Sequence, residues 1–117
     1  MDVFVGAEYI IANALIVLKR KGVDQIKVTD LQSFGINIQK SCFEQSVDAV
    51  FLLSLDNVSA AIYNFSDYFS YDEIDREPII RLNSEVEIED LESRFVGYLP
   101  IKLLKIILEN AQKLGVA

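Results

Sequence analysis

The chain of 117 residues is 51% apolar and 25% charged, which is typical of one globular domain rather than of a disordered, fibrous or membrane-embedded chain. Its net charge of −7 opposes binding to nucleic-acid phosphates, and its single cysteine, Cys42, rules out an intrachain disulfide, so a cytoplasmic location is the default expectation. We expect one domain over residues 1–117 with no membrane partner.

The first predicted element is a helix over residues 4–21, which ends in three basic residues before Gly22, a residue that can supply a left-handed cap. Its apolar stretch is shorter than a membrane span and is interrupted by Glu8. The apolar residues form two rows rather than one stripe, so most sides of this helix must be covered. These rows are Phe4, Ile11, Leu15 and Leu18, and Tyr9, Ala12 and Ile16.

A short strand over residues 25–28 and a second helix are predicted next. Thr29 and Gln32 have the spacing of a capping box, which places the start of the helix at Thr29. Gly35 conflicts with this helix, since glycine in a helix interior costs about 1 kcal/mol relative to alanine. One apolar face follows at spacings of three, four and four residues: Leu31, Phe34, Ile38 and Cys42.

Residues 47–55 contain a continuous apolar run, which predicts a strand buried on both faces at the middle of the sheet. Asp56 is the expected N-cap of a third helix, and residues 66–78 are the expected long exposed loop. Residues 78–82 predict a third strand that begins with proline. The buried stripe of the third helix is expected to contain Val58, Ala61, Ile62, Phe65 and Phe69.

Two more helices are predicted at the end of the chain. Ser84 and Glu87 form a second capping-box pattern, so a fourth helix should run to about Val96. Pro100 suits the first turn of a fifth helix, which should end at Gly115. Since helices separate the predicted strands, the sequence predicts an α/β or α+β fold with a small three-stranded, mostly parallel sheet flanked by about five helices.

The two terminal helices, residues 4–21 and 100–114, carry more apolar surface than a three-stranded sheet can cover. One hypothesis is a homodimer through these helices, because monomers rarely expose large apolar patches. The alternative is that the first helix is the central element of the domain, wrapped on all sides by the rest of the chain.

The residues that usually carry enzyme chemistry are sparse in this sequence. The chain has no histidine, the commonest general acid or base near neutral pH and the commonest transition-metal ligand. Its five glycines are isolated, so no phosphate-binding loop is indicated. Cys42 lies on the apolar face of the second helix, which favours a core side chain over a reactive thiol. We therefore expect a non-enzymatic protein with no cofactor.

Two other functions fit parts of the sequence. Asp30 and Asp56 each follow a predicted strand, and the carboxyl ends of parallel strands share a crevice, so a metal-dependent enzyme using both is one alternative. Residues 29–46 also fit a helix-turn-helix with its turn at Gly35, so a DNA-binding regulator is another. Its would-be recognition helix contains only one cation, Lys40, which opposes that interpretation.

Negative charge is concentrated in residues 67–92, where ten carboxylates against Arg76 and Arg81 give −8, and the rest of the chain sums to +1. Such a run is often only a solvated face. Beside aromatic residues it also suits the docking surface of an inhibitor, immunity or regulatory protein that binds a basic partner protein. The predicted partner-binding residues are Tyr68, Tyr71, Asp72, Glu73, Asp75, Glu77, Glu85 and Glu89.

Overall fold

A computed structural model of the chain describes residues 3 to 115, in which five helices and five short strands form a mixed α/β fold. The mixed class and the five helices are as predicted, whereas the sheets are not. In chain order the elements are β1 (Val3–Val5), α1 (Ala7–Arg20), β2 (Gln25–Lys27), α2 (Val28–Glu44), β3 (Ala49–Phe51), α3 (Leu55–Asn64), β4 (Phe69–Ile74), β5 (Glu77–Leu82), α4 (Ile88–Phe95) and α5 (Ile101–Ala111).

The strands form two separate sheets. β1 pairs in parallel with β3, while β2, β5 and β4 form an antiparallel sheet in that order. The prediction of one mostly parallel, three-stranded sheet is therefore wrong. It fails because β1 is a strand at the position predicted to start the first helix, and because β4 and β5 are joined by a tight turn rather than by a helix.

The turn between β4 and β5 explains why this hairpin escapes prediction. Asp75 and Arg76 both have positive φ values, 53° and 68°. A two-residue turn in which both residues have positive φ matches the right-handed twist of the paired strands. The usual sequence signal for such a turn is Asn-Gly or Asp-Gly. Without that signal residues 66–78 suggest a long loop, which is wrong for the six residues of β4.

Helix α1 is the central element of the fold. Every residue from Ile10 to Leu18 is buried, and α1 packs against α2, α3, α4, α5 and β2. Apart from Phe4, which lies in β1 and is 68% exposed, both predicted apolar rows are covered by the same chain, so α1 itself presents no free apolar face. In α5, Leu103, Ile106 and Ile107 are buried as well. No helix within residues 3–115 combines the length and apolarity needed to span a bilayer.

An aromatic cluster closes one end of the core. The ring of Phe95 in α4 lies 5.3 Å from that of Phe65, 5.4 Å from Tyr68, 5.8 Å from Phe69 and 6.0 Å from Tyr9, measured between centroids. These contacts join α1, α4 and the chain between α3 and β4. They also account for the burial of Phe69, which starts β4 rather than continuing the third helix.

The helices begin at residues other than the predicted caps. Lys27 precedes the first residue of α2, so the expected capping box at Thr29 is wrong. Ser54, not Asp56, caps α3 and accepts a hydrogen bond from the backbone N–H of Asn57 at 3.2 Å. At α4 the cap is Glu87 rather than Ser84.

Gly35 lies inside α2 because another side chain needs its space. A Cβ atom built at Gly35 would overlap Cδ1 of Leu53, a residue that follows β3 and packs onto the helix here. The missing side chain therefore permits close packing, which offsets the poor helix propensity of glycine.

Candidate functional site

The predicted partner-binding residues do not form one patch. Tyr71, Asp72, Glu73, Asp75 and Glu77 lie along the hairpin of β4 and β5, mostly toward its turn. Glu85 and Glu89 follow the far end of β5, and the five steps from residue 77 to residue 82 extend roughly 17 Å at about 3.4 Å per residue. The acidic run is therefore divided between the two ends of the antiparallel sheet.

Tyr68 packs against the core of the domain. It is half-buried, and its ring makes an edge-to-face contact with Phe95 at a centroid distance of 5.4 Å. Tyr71, two strand positions beyond Phe69, is 57% exposed. Of the two predicted tyrosines, only Tyr71 presents its ring to solvent as an anchor for a partner would.

The outer face of the sheet carries a network of ion pairs that neutralises two of the predicted acids. Arg81 lies 3.0 Å from the carboxylate of Asp72, and Lys27 lies 3.0 Å from that of Glu77. Arg81 also donates hydrogen bonds to the Oε1 atom of Gln25. The hydrogen bond and charge of Glu77 raise the pKa of Lys27. Asp72 and Glu77 thus already have cationic partners within the chain.

Ile79 shows how this network serves the fold. It points to the same outer face, between Lys27 and Asp72 on the neighbouring strands, and yet is only 3% exposed. Long charged side chains can cover apolar surface with their aliphatic stems while their charges stay in water. The paired side chains therefore cover Ile79, while Ile74, on the same face next to the turn, stays 40% exposed.

The inner face of the same sheet is open near the hairpin turn. There α3 and the sheet enclose a groove of about 560 Å³, hereafter the α3–hairpin groove. Three of its side chains are exposed although they are large and apolar or aromatic: Leu55 (63%), Tyr63 (82%) and Tyr71 (57%). Its lining consists of Val28, Leu55, Val58, Ser59, Ile62, Tyr63, Tyr71 and Pro78.

Two carboxylates belong to residues next to those that line this groove, a position hereafter called its rim. Glu73 is on the same sheet face as Tyr71, two residues away, and is directly opposite Pro78 on β5. Asp56 is in the first turn of α3, on the helical stripe that continues with Ser59 and Tyr63. Both are exposed, and neither belongs to an ion pair within residues 3–115.

Sequence reasoning missed most of the groove. Leu55 falls within the predicted central strand, although it is the first residue of α3. The spacing of Leu55, Ser59 and Tyr63 is four and four, which marks one helical face once the start of the helix is known. The usable signal is Ser54, a preferred N-cap residue directly before this pattern.

The metal-site alternative depends on a geometry that is wrong. Asp30 follows β2 in the antiparallel sheet, and Asp56 comes after β3 in the parallel pair, so the two strands do not end at one edge of one sheet. Both carboxylates are exposed in the first turns of helices. In the part of the chain that the structure describes, no three His, Cys, Asp or Glu side chains are grouped to hold a metal ion.

The helix-turn-helix geometry is also wrong, because α2 continues without a break from Val28 to Glu44. Cys42 on this helix is fully buried, as predicted for a core residue. Burial disfavours the thiolate and raises the pKa of the Cys42 thiol, the opposite of what a nucleophile needs.

In comparisons with known proteins, no family model, no curated protein and no solved structure matches this chain.

Proposed function

We propose that the chain is a non-enzymatic interaction protein that binds a basic partner protein through the acidic docking surface of the hairpin, here defined as Tyr71, Glu73 and Asp75. The observation that carries the proposal is the exposed ring of Tyr71 beside two carboxylates, Glu73 and Asp75, that form no ion pair within residues 3–115. Aromatic anchors next to charge are typical of protein interfaces.

The distribution of charge supports a basic partner. Residues 41–101 contain thirteen carboxylates and three arginines but no lysine, a net charge of −10, whereas the remaining residues sum to +3. Negative charge concentrated in this part of the chain speeds encounter with a basic partner and disfavours acidic partners. Inhibitors, immunity proteins and regulators of basic proteins use such a field.

The proposal is tested by purifying partners on the immobilised chain from its host and comparing a variant with reduced hairpin charge. Glu73→Lys with Asp75→Asn changes the charge by +3, and asparagine tolerates the positive φ of residue 75. Glu44→Lys with Glu109→Gln makes the same change at exposed positions outside the hairpin. We expect the partner to be lost with the hairpin variant and retained with the control.

Retention of the same proteins by both variants would contradict the proposal, as would a partner whose contact surface is acidic. Loss with both variants would show that total charge, rather than the hairpin surface, determines binding.

A further inference from the structure

We infer that the α3–hairpin groove holds a short segment of the partner in which an aromatic or large aliphatic side chain is flanked by lysine or arginine. This inference rests on the proposed function and adds to it the site of anchoring and the chemistry of the anchored segment. Three observations support it: the groove is apolar, two carboxylates lie at its rim, and the neighbouring cation, Lys27, is already paired with Glu77.

The groove has the composition of an anchoring site. Its floor contains Val28 and Val58, which are buried, and its walls contain the exposed side chains of Leu55, Tyr63 and Tyr71. A single exposed leucine is ordinary on a protein surface. Three large exposed side chains that line one groove are unusual on a protein surface. The volume of the groove, about 560 Å³, is within the range of sites that bury apolar ligand groups.

The rim selects the charge of the segment that enters. Asp56 directly follows the lining residue Leu55 in α3, and Glu73 is directly opposite the lining residue Pro78 in the hairpin, which puts one carboxylate on the helix side and one on the sheet side. Lys27, the cation that precedes the groove residue Val28, is held by Glu77 at 3.0 Å. A lysine or arginine beside the anchor can lay its stem on Tyr63 or Tyr71 and place its charge at the rim. An acidic segment would meet like charge on both sides.

The same rim disfavours a second copy of the chain as the occupant. A symmetric dimer through the groove would bring the same patch of both copies together. The interface would then contain Asp56 and Glu73 from both copies, four carboxylates in all, in proteins that each carry a net charge of −7. The groove therefore fits a basic partner and not self-association.

A library of short random peptides, displayed and selected on the immobilised chain, tests the inference without requiring the identity of the partner. We expect selected sequences to contain tryptophan, phenylalanine or leucine next to lysine or arginine. Affinities of synthetic versions are then measured by fluorescence anisotropy at low and high salt, and the affinity should fall as salt rises.

Matched variants locate the binding. Tyr63→Ser should weaken binding about tenfold, the loss typical of an anchoring contact, whereas Tyr98→Ser, at an equally exposed tyrosine outside the groove, should leave it unchanged. Asp56→Asn with Glu73→Gln should weaken binding by a smaller factor and reduce its dependence on salt. Glu44→Gln with Glu109→Gln should do neither.

The outcomes separate this inference from the proposed function. Basic peptides whose affinity falls with the Glu73→Lys, Asp75→Asn variant but not with Tyr63→Ser would overturn the groove and leave the acidic docking surface standing. Selection of acidic or purely polar peptides, or of none, would overturn the groove. Doubling of the molecular mass through the groove, lost with Tyr63→Ser, would overturn it in favour of a second copy.

Discussion

Helices α1 and α3 are both apolar by sequence, but the fold treats them in opposite ways. Nine consecutive residues of α1, from Ile10 to Leu18, are buried, and five other elements cover them. In α3 only Val58 and Ala61 are buried, while Leu55 and Tyr63 are mostly exposed. Helix α1 is therefore the central element of the domain, one of the two arrangements expected for it, whereas part of the apolar surface of α3 stays uncovered.

The difference shows what a hydrophobic pattern can and cannot specify. The amount of apolar surface on a helix indicates how much cover it needs. Which element provides that cover depends on contacts between residues that are distant in sequence, such as the packing of α4 on α1. An estimate made one helix at a time therefore misplaces the uncovered surface.

Replacement of Phe95 should have the largest effect, because this ring connects the two regions. Phe95 is 1% exposed and contacts Tyr9 at the start of α1 and Phe65 at the end of α3. Phe95→Ala should lower the free energy of unfolding by about 4 kcal/mol, as measured by urea denaturation. Tyr98→Ala, at a nearby exposed aromatic residue, should change it by less than about 0.5 kcal/mol. A small loss at Phe95 would mean that the cluster does not hold α1 and α3 together.

A pair of identical substitutions tests the contrast between the helices directly. Leu15 in α1 is completely buried and Leu55 in α3 is 63% exposed. Leu15→Ala should lower the free energy of unfolding by about 3 kcal/mol, since it leaves a cavity, and Leu55→Ala by less than about 0.5 kcal/mol. Similar losses at both positions, in the same urea titration, would contradict the structural difference between the helices.

The parts of the fold that local sequence determines were predictable. Apolar spacing identified all five helices, although not their first residues, and the apolar face of α2 is buried as expected at Leu31, Phe34, Ile38 and Cys42. The pairing of strands was not predictable, because it depends on register and turn geometry. Asp75 and Arg76 adopt a hairpin turn without the residues that usually mark one.

The candidate site was predictable only in part, for a related reason. The charge pattern of the sequence indicates the acidic residues of the hairpin, and Tyr71 is among the predicted partner-binding residues. The groove is formed by α3, the hairpin and the first residue of α2, which are distant in sequence, so no local pattern contains it. The ion pairs of Asp72 with Arg81 and of Glu77 with Lys27 likewise appear only once the strands are paired.

A smaller loss of stability is expected when the N-cap of α3 is removed. This substitution tests whether α3 is held less firmly than α1. The Oγ atom of Ser54 accepts a hydrogen bond from the N–H of Asn57, so Ser54→Ala should lower stability by about 1 kcal/mol. Amide exchange should accelerate in the first turn of α3. Ser84→Ala provides the control, because Ser84 resembles a cap in sequence but Glu87 caps α4. Equal losses at both serines would argue against the assigned helix start.

The smallest effect concerns the ion pair between Lys27 and Glu77 on the outer face of the hairpin. The hydrogen bond and negative charge of Glu77 raise the pKa of Lys27 above its ordinary value of 10.5. The ion pair therefore stabilises the folded state fully at pH values below 10.5. This contribution is lost as the pH rises through the higher pKa that Lys27 has in the folded state. Both side chains are about half exposed, so we expect only a slight effect on stability and a clearer one on the titration itself.

In an NMR titration of the Lys27 side chain, Glu77→Gln should shift the midpoint to lower pH, and high salt should shift that of the wild type in the same direction. Glu44→Gln, which removes the same charge away from the sheet, should leave the Lys27 midpoint in place. If Glu77→Gln also leaves it in place, Glu77 is not neutralised by Lys27, and its charge must then be added to the acidic docking surface.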